Sequence, residues 1–227
     1  MNILNNVPLI LCFEIDALVQ QAQEADAVIV MECAVGDTLV DDTLLLRVHG
    51  GTQPLAEDRL RHAIRLARER TFERDPKYPL RLLVDIAIRG LSPAVNDPTT
   101  AVQAIDQIED LLLRLGRSAL DAGCVMDERG VLRLIFPTPT WGDYLNLGFD
   151  EIRQYGVGSV QVMRRLRSAL LSLVDSLTEI ERKTVVQLYL QHLNLVVEHS
   201  TLDAEDRVIA LQEDRQGLGL SRRRTQQ

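Results

Sequence analysis

Ser92-Pro93-Ala94-Val95-Asn96-Asp97-Pro98 is a polar stretch bracketed by two prolines and set between two apolar runs. On its N-terminal side, residues 80–91 are apolar on most faces, which predicts a buried helix. On its C-terminal side, Asp97 is a good N-cap and Pro98 suits the first helical position, where no amide donor is missed. A helix over 98–115 is therefore expected, with Val102, Ile105, Ile108 and Leu112 turned inward and a stop near Gly116. The residue before each proline is pushed out of helical geometry, so the stretch reads as a stiff connection between two helices.

Working outward, helices continue towards the C-terminus. They are expected over 141–155, closed by Gly156, over 159–177, over 179–198 and over 203–212. Met163, Leu166, Leu170, Leu173 and Leu177 form a heptad-like stripe on the second of these. It serves either the chain's own core or a subunit interface. Residues 125–136 read as a β-hairpin turning at Asp127-Glu128-Arg129-Gly130.

Towards the N-terminus, Pro54 begins a helix carrying Leu55, Leu60, Ile64 and Ala67 that ends before Asp75-Pro76. The first fifty residues differ in pattern: strands at 9–13, 27–33 and 43–48, a helix at 15–24 and a turn at Val35-Gly36-Asp37. That turn has a half-barrel-like look, as in biotinyl and lipoyl carriers. Such carriers need a lysine at the hairpin tip, and the first 76 residues contain none.

The expected class is α+β, mainly helical: a small α/β (half-barrel-like) N-terminal unit followed by a helical domain with one inserted β-hairpin. The expected boundaries are 1–50 for the appendage, 51–216 for the helical domain and 217–227 for a disordered tail.

Composition narrows the function classes. A net charge of −8 and a pI near 5.1 exclude a nucleic-acid partner, which needs a concentrated basic face. The one dense basic run, Arg222-Arg223-Arg224, sits in the terminal tail. Cys12, Cys33 and Cys124 are scattered and odd in number, as expected of reduced thiols in the cytoplasm. The apolar run at 7–13 is far shorter than the ~20 residues a bilayer span requires, so the chain reads as soluble.

Three groups of residues invite a functional reading. Arg81, Asp85 and Arg89 lie at i, i+4 and i+8, either an ion-pair ladder or a charged stripe aimed at the loop beyond. Ser92, Asn96, Asp97, Thr99 and Thr100 offer five polar side chains within nine residues, either as a ligand site or as capping groups. Arg153 and Tyr155 either reach another helix end or lie on a solvated face with one buried tyrosine. His192 and His199 stand two turns apart, about 10 Å by the helical rise, too far for both to hold one ion unaided. No GxSxG elbow, Walker loop or dinucleotide fingerprint is present, so no metal and no cofactor are expected.

Arg68-Glu69-Arg70-Thr71, Asp75-Pro76, Leu83-Val84-Asp85-Ile86-Ala87, Leu91-Ser92-Pro93 and Asn96-Asp97-Pro98-Thr99-Thr100-Ala101 together resemble the signature of one bacterial family. Phe149-Asp150-Glu151-Ile152-Arg153-Gln154-Tyr155-Gly156 does so too. The family is that of predicted membrane proteins sharing domain of unknown function 2254, and the resemblance runs from about residue 9 to 212. It implies several transmembrane helices ahead of a soluble region, in the inner membrane, and it brings no catalytic residues. The chain then looks like the soluble half. The leading expectation is a non-enzymatic regulatory or assembly role, with a membrane-protein partner and a homo-oligomeric state. One rival is a small-molecule or hydrolytic site at Asp85, Arg89, Asn96, Asp97 and Thr100. The other is a membrane-surface domain, which the acidic total disfavours because it lacks a basic amphipathic face.

Overall fold

The apolar run near the N-terminus forms strand β1 (Leu9–Phe13), followed by α1 (Ile15–Ala25) and β2 (Ala27–Met31). The computed structural model describes residues 7–70, 75, 77–120 and 122–219. The last part of the helix expected from Pro54, at 71–74, lies outside them, as does the Arg222–Arg224 run. Of the expected tail at 217–227, only 217–219 are described. The described residues up to Tyr78 and those of 122–139 cluster as one unit, and those of 79–120 and from Thr140 onward as a second.

In the first unit, β2 lies at the centre of a four-stranded sheet, β3-β2-β6-β5. Strand β3 (Leu46–Gly50) runs antiparallel to β2, a few residues beyond the expected 43–48. The hairpin β5 (Cys124–Met126) and β6 (Leu132–Ile135) turns where expected, and Gly130 takes a positive φ of 77° there. Strand β6 joins β2 in parallel, pairing Leu134 with Ile29. The hairpin therefore belongs to the first unit and is not part of the helical domain, as a boundary at residue 50 had it. Helix α1 turns Leu18, Gln21, Ala22 and Ala25 inward at the spacing of one helix face. Leu18 and Ala22 meet Ile10, Phe13, Ile29, Met31 and Leu134 in one apolar cluster.

The helix expected from Pro54 is mostly absent among the described residues. Only α2 (Glu57–His62) forms, and none of its residues is buried. Ile64 and Ala67 instead belong to β4 (Ile64–Ala67), which pairs antiparallel with β1. Their i, i+3 spacing fits a helix, but the open edge of β1 supplies backbone partners that the local sequence does not reveal. The turn at Val35–Asp37 is real: Gly36 has φ 92°, and a Cβ there would stand 2.7 Å from both Arg70 Nη1 and Asp75 Oδ2.

The second unit is helical: α3 (Lys77–Gly90), α4 (Pro98–Leu115), α5 (Trp141–Gly156), α6 (Val160–Ser176), α7 (Ile180–Glu198) and α8 (Ala204–Ala210). Helix α6 is the hub, packed by α4, α5, α7 and α8. Its stripe of Met163, Leu166, Leu170, Leu173 and Leu177 is buried in the unit's own core, with Ile105, Ile108, Leu112, Leu145 and Phe149. That burial removes the stripe as a subunit interface. Thr140 and Asp143 form a reciprocal capping box at the start of α5, and Ser159 caps α6. Among the described residues no helix is long and apolar enough to cross a membrane.

Strand β4 makes a sharp prediction. Ile64 is buried and Leu66, two residues on and therefore on the same face of the strand, is half exposed, because only the Ile64 end of that face reaches the apolar cluster. Ile64→Ala should cost about 2–5 kcal/mol and Leu66→Ala less than about 1 kcal/mol, read from urea denaturation followed by circular dichroism. Equal losses at both positions would contradict the burial of Ile64 alone.

Candidate functional site

The connection between α3 and α4 is closed by its own backbone. The Ser92 carbonyl accepts the amides of Val95 at 3.1 Å and Asn96 at 2.8 Å, and the Asp97 amide donates back to the Gly90 carbonyl at 2.7 Å. A Cβ at position 90 would lie 3.0 Å from the Asp97 carbonyl oxygen, so glycine there permits the approach. Asn96 adopts a left-handed φ of 48°, which asparagine tolerates better than most residues.

The loop's side chains are largely committed. Asp97 Oδ1 accepts the amides of Thr99 at 3.1 Å and Thr100 at 3.2 Å, while Oδ2 accepts the Thr100 hydroxyl at 2.6 Å. These donors, the Thr100 hydroxyl foremost, hold the Asp97 carboxyl below its usual range. Ser92 Oγ donates to the Arg89 carbonyl at 2.7 Å. Asn96 and Thr99 are exposed.

The charged stripe of α3 turns towards α5, with Arg81 at its centre. The Arg81 guanidinium donates to Asp85 one turn on, through Nε at 2.8 Å, and to Glu151 of α5, through Nη2 at 3.0 Å. Glu151 is held below its ordinary carboxylate range by Arg81, and the guanidinium is raised by Glu151 and Asp85 in turn. All three side chains are half-buried. Arg89 is exposed and stands outside this cluster. Only Leu80, Val84, Ala87 and Gly90 of α3 are fully buried, and Ile86 is exposed, so the helix buries one face rather than most.

Arg153 and Tyr155 part company. Tyr155 is exposed and Arg153 is buried, the reverse of a solvated face with one buried tyrosine. Arg153 Nη2 donates to Asp150 Oδ1 at 3.2 Å, and the Tyr189 hydroxyl of α7 donates to the same oxygen at 2.6 Å. Burial, then the Asp150 carboxylate, pushes the Tyr189 phenol up. Arg153 Nε is buried without a hydrogen-bond partner.

The structure thus brings Asp85 and Arg153 into two separate α5 clusters and leaves Arg89, Asn96, Thr99 and Tyr155 at the surface. It also shows polar groups that periodicity did not single out. Arg165, buried on α6, donates from Nε to Asp106 at 2.6 Å and pairs with Glu109, both on α4. A polar cavity of about 300 Å³ lies beside this pair, lined by Ser168, Ser172, Asp175 and Arg215 among others. Two adjacent arginines in an amphipathic helix were the available signal. Among the described residues, no group of three or more His, Cys, Asp or Glu side chains is placed to hold a metal ion.

The chain matches the model of a family described as predicted membrane proteins, DUF2254, over residues 9–172. Uncharacterised proteins of Mycobacterium bovis and Mycobacterium tuberculosis are each 32% identical to it over 152 residues, 67% of this chain. That stretch is 29% of their length, so the chain spans under a third of the relatives it matches. No solved structure matches.

The Asp97 cap carries a pH signature. A carboxyl lowered in the folded state contributes stability above its unfolded pKa and loses it as pH falls through the folded one. Thermal melts from pH 7 to 3 should show Asp97→Asn starting lower than the parent at pH 7 and losing less on acidification, so that the curves converge. Parallel curves would mean that the carboxylate's charge does not stabilise the helix.

Proposed function

The chain belongs to the DUF2254 family of predicted membrane proteins, and from that premise we propose that it is a non-enzymatic module, outside the bilayer, that regulates or assembles a membrane partner. One observation carries the reading: the carboxylates gathered around α3, its loop and α5 are all engaged. Asp97 caps α4, Asp85 and Glu151 share Arg81, and Asp150 takes Arg153 and Tyr189. A general base working near neutral pH needs a carboxyl pushed upward. Asp97 and Glu151 are pushed downward. Cys12, Cys33 and Cys124 take part in no disulfide, which suits the cytoplasmic face of an inner membrane.

The rival reading is a small-molecule site at the Ser92–Thr100 loop, resting on the exposed side chains of Asn96 and Thr99. Asn96→Ala and Asp97→Asn separate the two in a thermal-shift screen against phosphate, small carboxylates and amines. The assembly role expects both variants to melt lower by a few degrees, with no compound shifting the parent. A compound that stabilises the parent and fails on a folded Asn96→Ala protein would overturn it. Expressed with the remainder of a longer relative, the chain should sediment with membranes, and alone it should not sediment with anionic liposomes. Liposome binding by the chain alone would favour a membrane-surface domain instead.

A further inference from the structure

Helix α7 carries two apolar stripes, and its own unit covers only one. Val186, Tyr189, Leu193 and Val197 are buried. Beside them, Val185, Leu188 and Leu195 are 36%, 59% and 53% exposed. With Glu181, His192 and His199, also exposed, they form the series 181, 185, 188, 192, 195, 199. Alternating steps of four and three are the 3.5-residue repeat of a coiled-coil seam.

We propose that this seam is the interface of a two-fold homodimer, in which α7 packs antiparallel against α7 of a second copy. The polar positions select that orientation. In an antiparallel pair centred on position 190, Val185 faces the partner's Leu195 and Leu188 faces the partner's His192. Glu181 then faces the partner's His199, and the two-fold repeats each layer. A parallel pair would set Glu181 against the partner's Glu181 and His199 against the partner's His199, and like groups face to face are destabilising.

The remaining features agree with this register. His199 Nδ1 donates to the Leu195 carbonyl at 2.8 Å, so it is as an imidazolium that the ring also donates from Nε2 to a carboxylate. His192 is the one polar residue inside the apolar layers, a position that fixes register at some cost in stability. In the row beside the seam Thr184 and Gln191 carry no charge, and Glu198 is its charged member. From Glu181 to His199 the seam is about 27 Å long. One helix pair of that length buries less than a standard interface, so the dimer forms at micromolar rather than nanomolar concentration.

Analytical ultracentrifugation of the full chain between low and several hundred micromolar tests this. The expected mass rises from 25.5 kDa towards twice that value. Leu188→Glu should hold the protein at the monomer mass with its melting temperature kept, because the side chain is exposed. Glu181→Lys and His199→Glu should each weaken association several-fold, and the double variant should regain most of the loss. A parent that stays monomeric at the highest concentration overturns the proposal, as does a dimer indifferent to Leu188→Glu. A dimer lost with Leu188→Glu but not rescued by the charge exchange overturns the antiparallel register.

Discussion

The hydrogen bond from the Asp97 amide to the Gly90 carbonyl, 2.7 Å long, ties the end of one helix to the start of the next, and the helical unit is phased from it. Once the chain is closed there, the Asp97 carboxylate meets the amides of Thr99 and Thr100 and Pro98 occupies the first helical position. The rotation of α4 follows. Ala101, Val102, Ile105, Ile108 and Leu112 face inward, while Asp106 and Glu109 reach Arg165 on α6. A start displaced by one residue would turn α4 by about 100° and separate the apolar face from the core and the acids from their arginine together.

Arg165 shows why that phase matters. A buried charge is tolerated when paired, and stripping one partner from a buried pair costs about 3–5 kcal/mol, a large share of the roughly 5–15 kcal/mol that keeps a domain folded. Its neighbour Arg164 is answered from the other end of the chain. Arg164 lies 3.8 Å from the Asp214 carboxylate, whose oxygens also accept the amides of Gln216, Gly217 and Gly219. The Asp214 amide in turn donates to Ser168 Oγ of α6 at 2.7 Å. The hub helix is thus held by apolar contacts on one side and by charge on the other, and the charged side organises the last described residues.

Local chemistry made much of this legible in advance. Asp97-Pro98 announces a helix start through the hydrogen bonds that the Asp97 side chain makes, and the inward residues of α4 and α6 follow from a 3.6-residue repeat. What stayed hidden depends on strands far apart in the chain. Ile64 and Ala67 stand at helical spacing, and pairing with the edge of β1 overrides it. Leu134 joins Ile29 across more than a hundred residues, so nothing near the hairpin indicates which unit it completes.

The candidate site was hidden for a related reason. Arg81, Asp85 and Glu151 are plain in the sequence, yet only the packing of α3 beside α5 makes them one cluster, and Asp85 and Arg89, read as a pair, are divided by it. Side chains that look most like chemistry in a sequence are those that fold-making competes for. In this chain the competition goes largely to the fold, with capping, helix pairing and the neutralising of buried arginines taking the acids first. Recognition by any ligand or partner must then draw on what packing leaves over: Arg89, Asn96, Thr99 and Tyr155 at one set of helix ends, and the second stripe of α7, where apolar side chains remain in water with no structural duty to explain them.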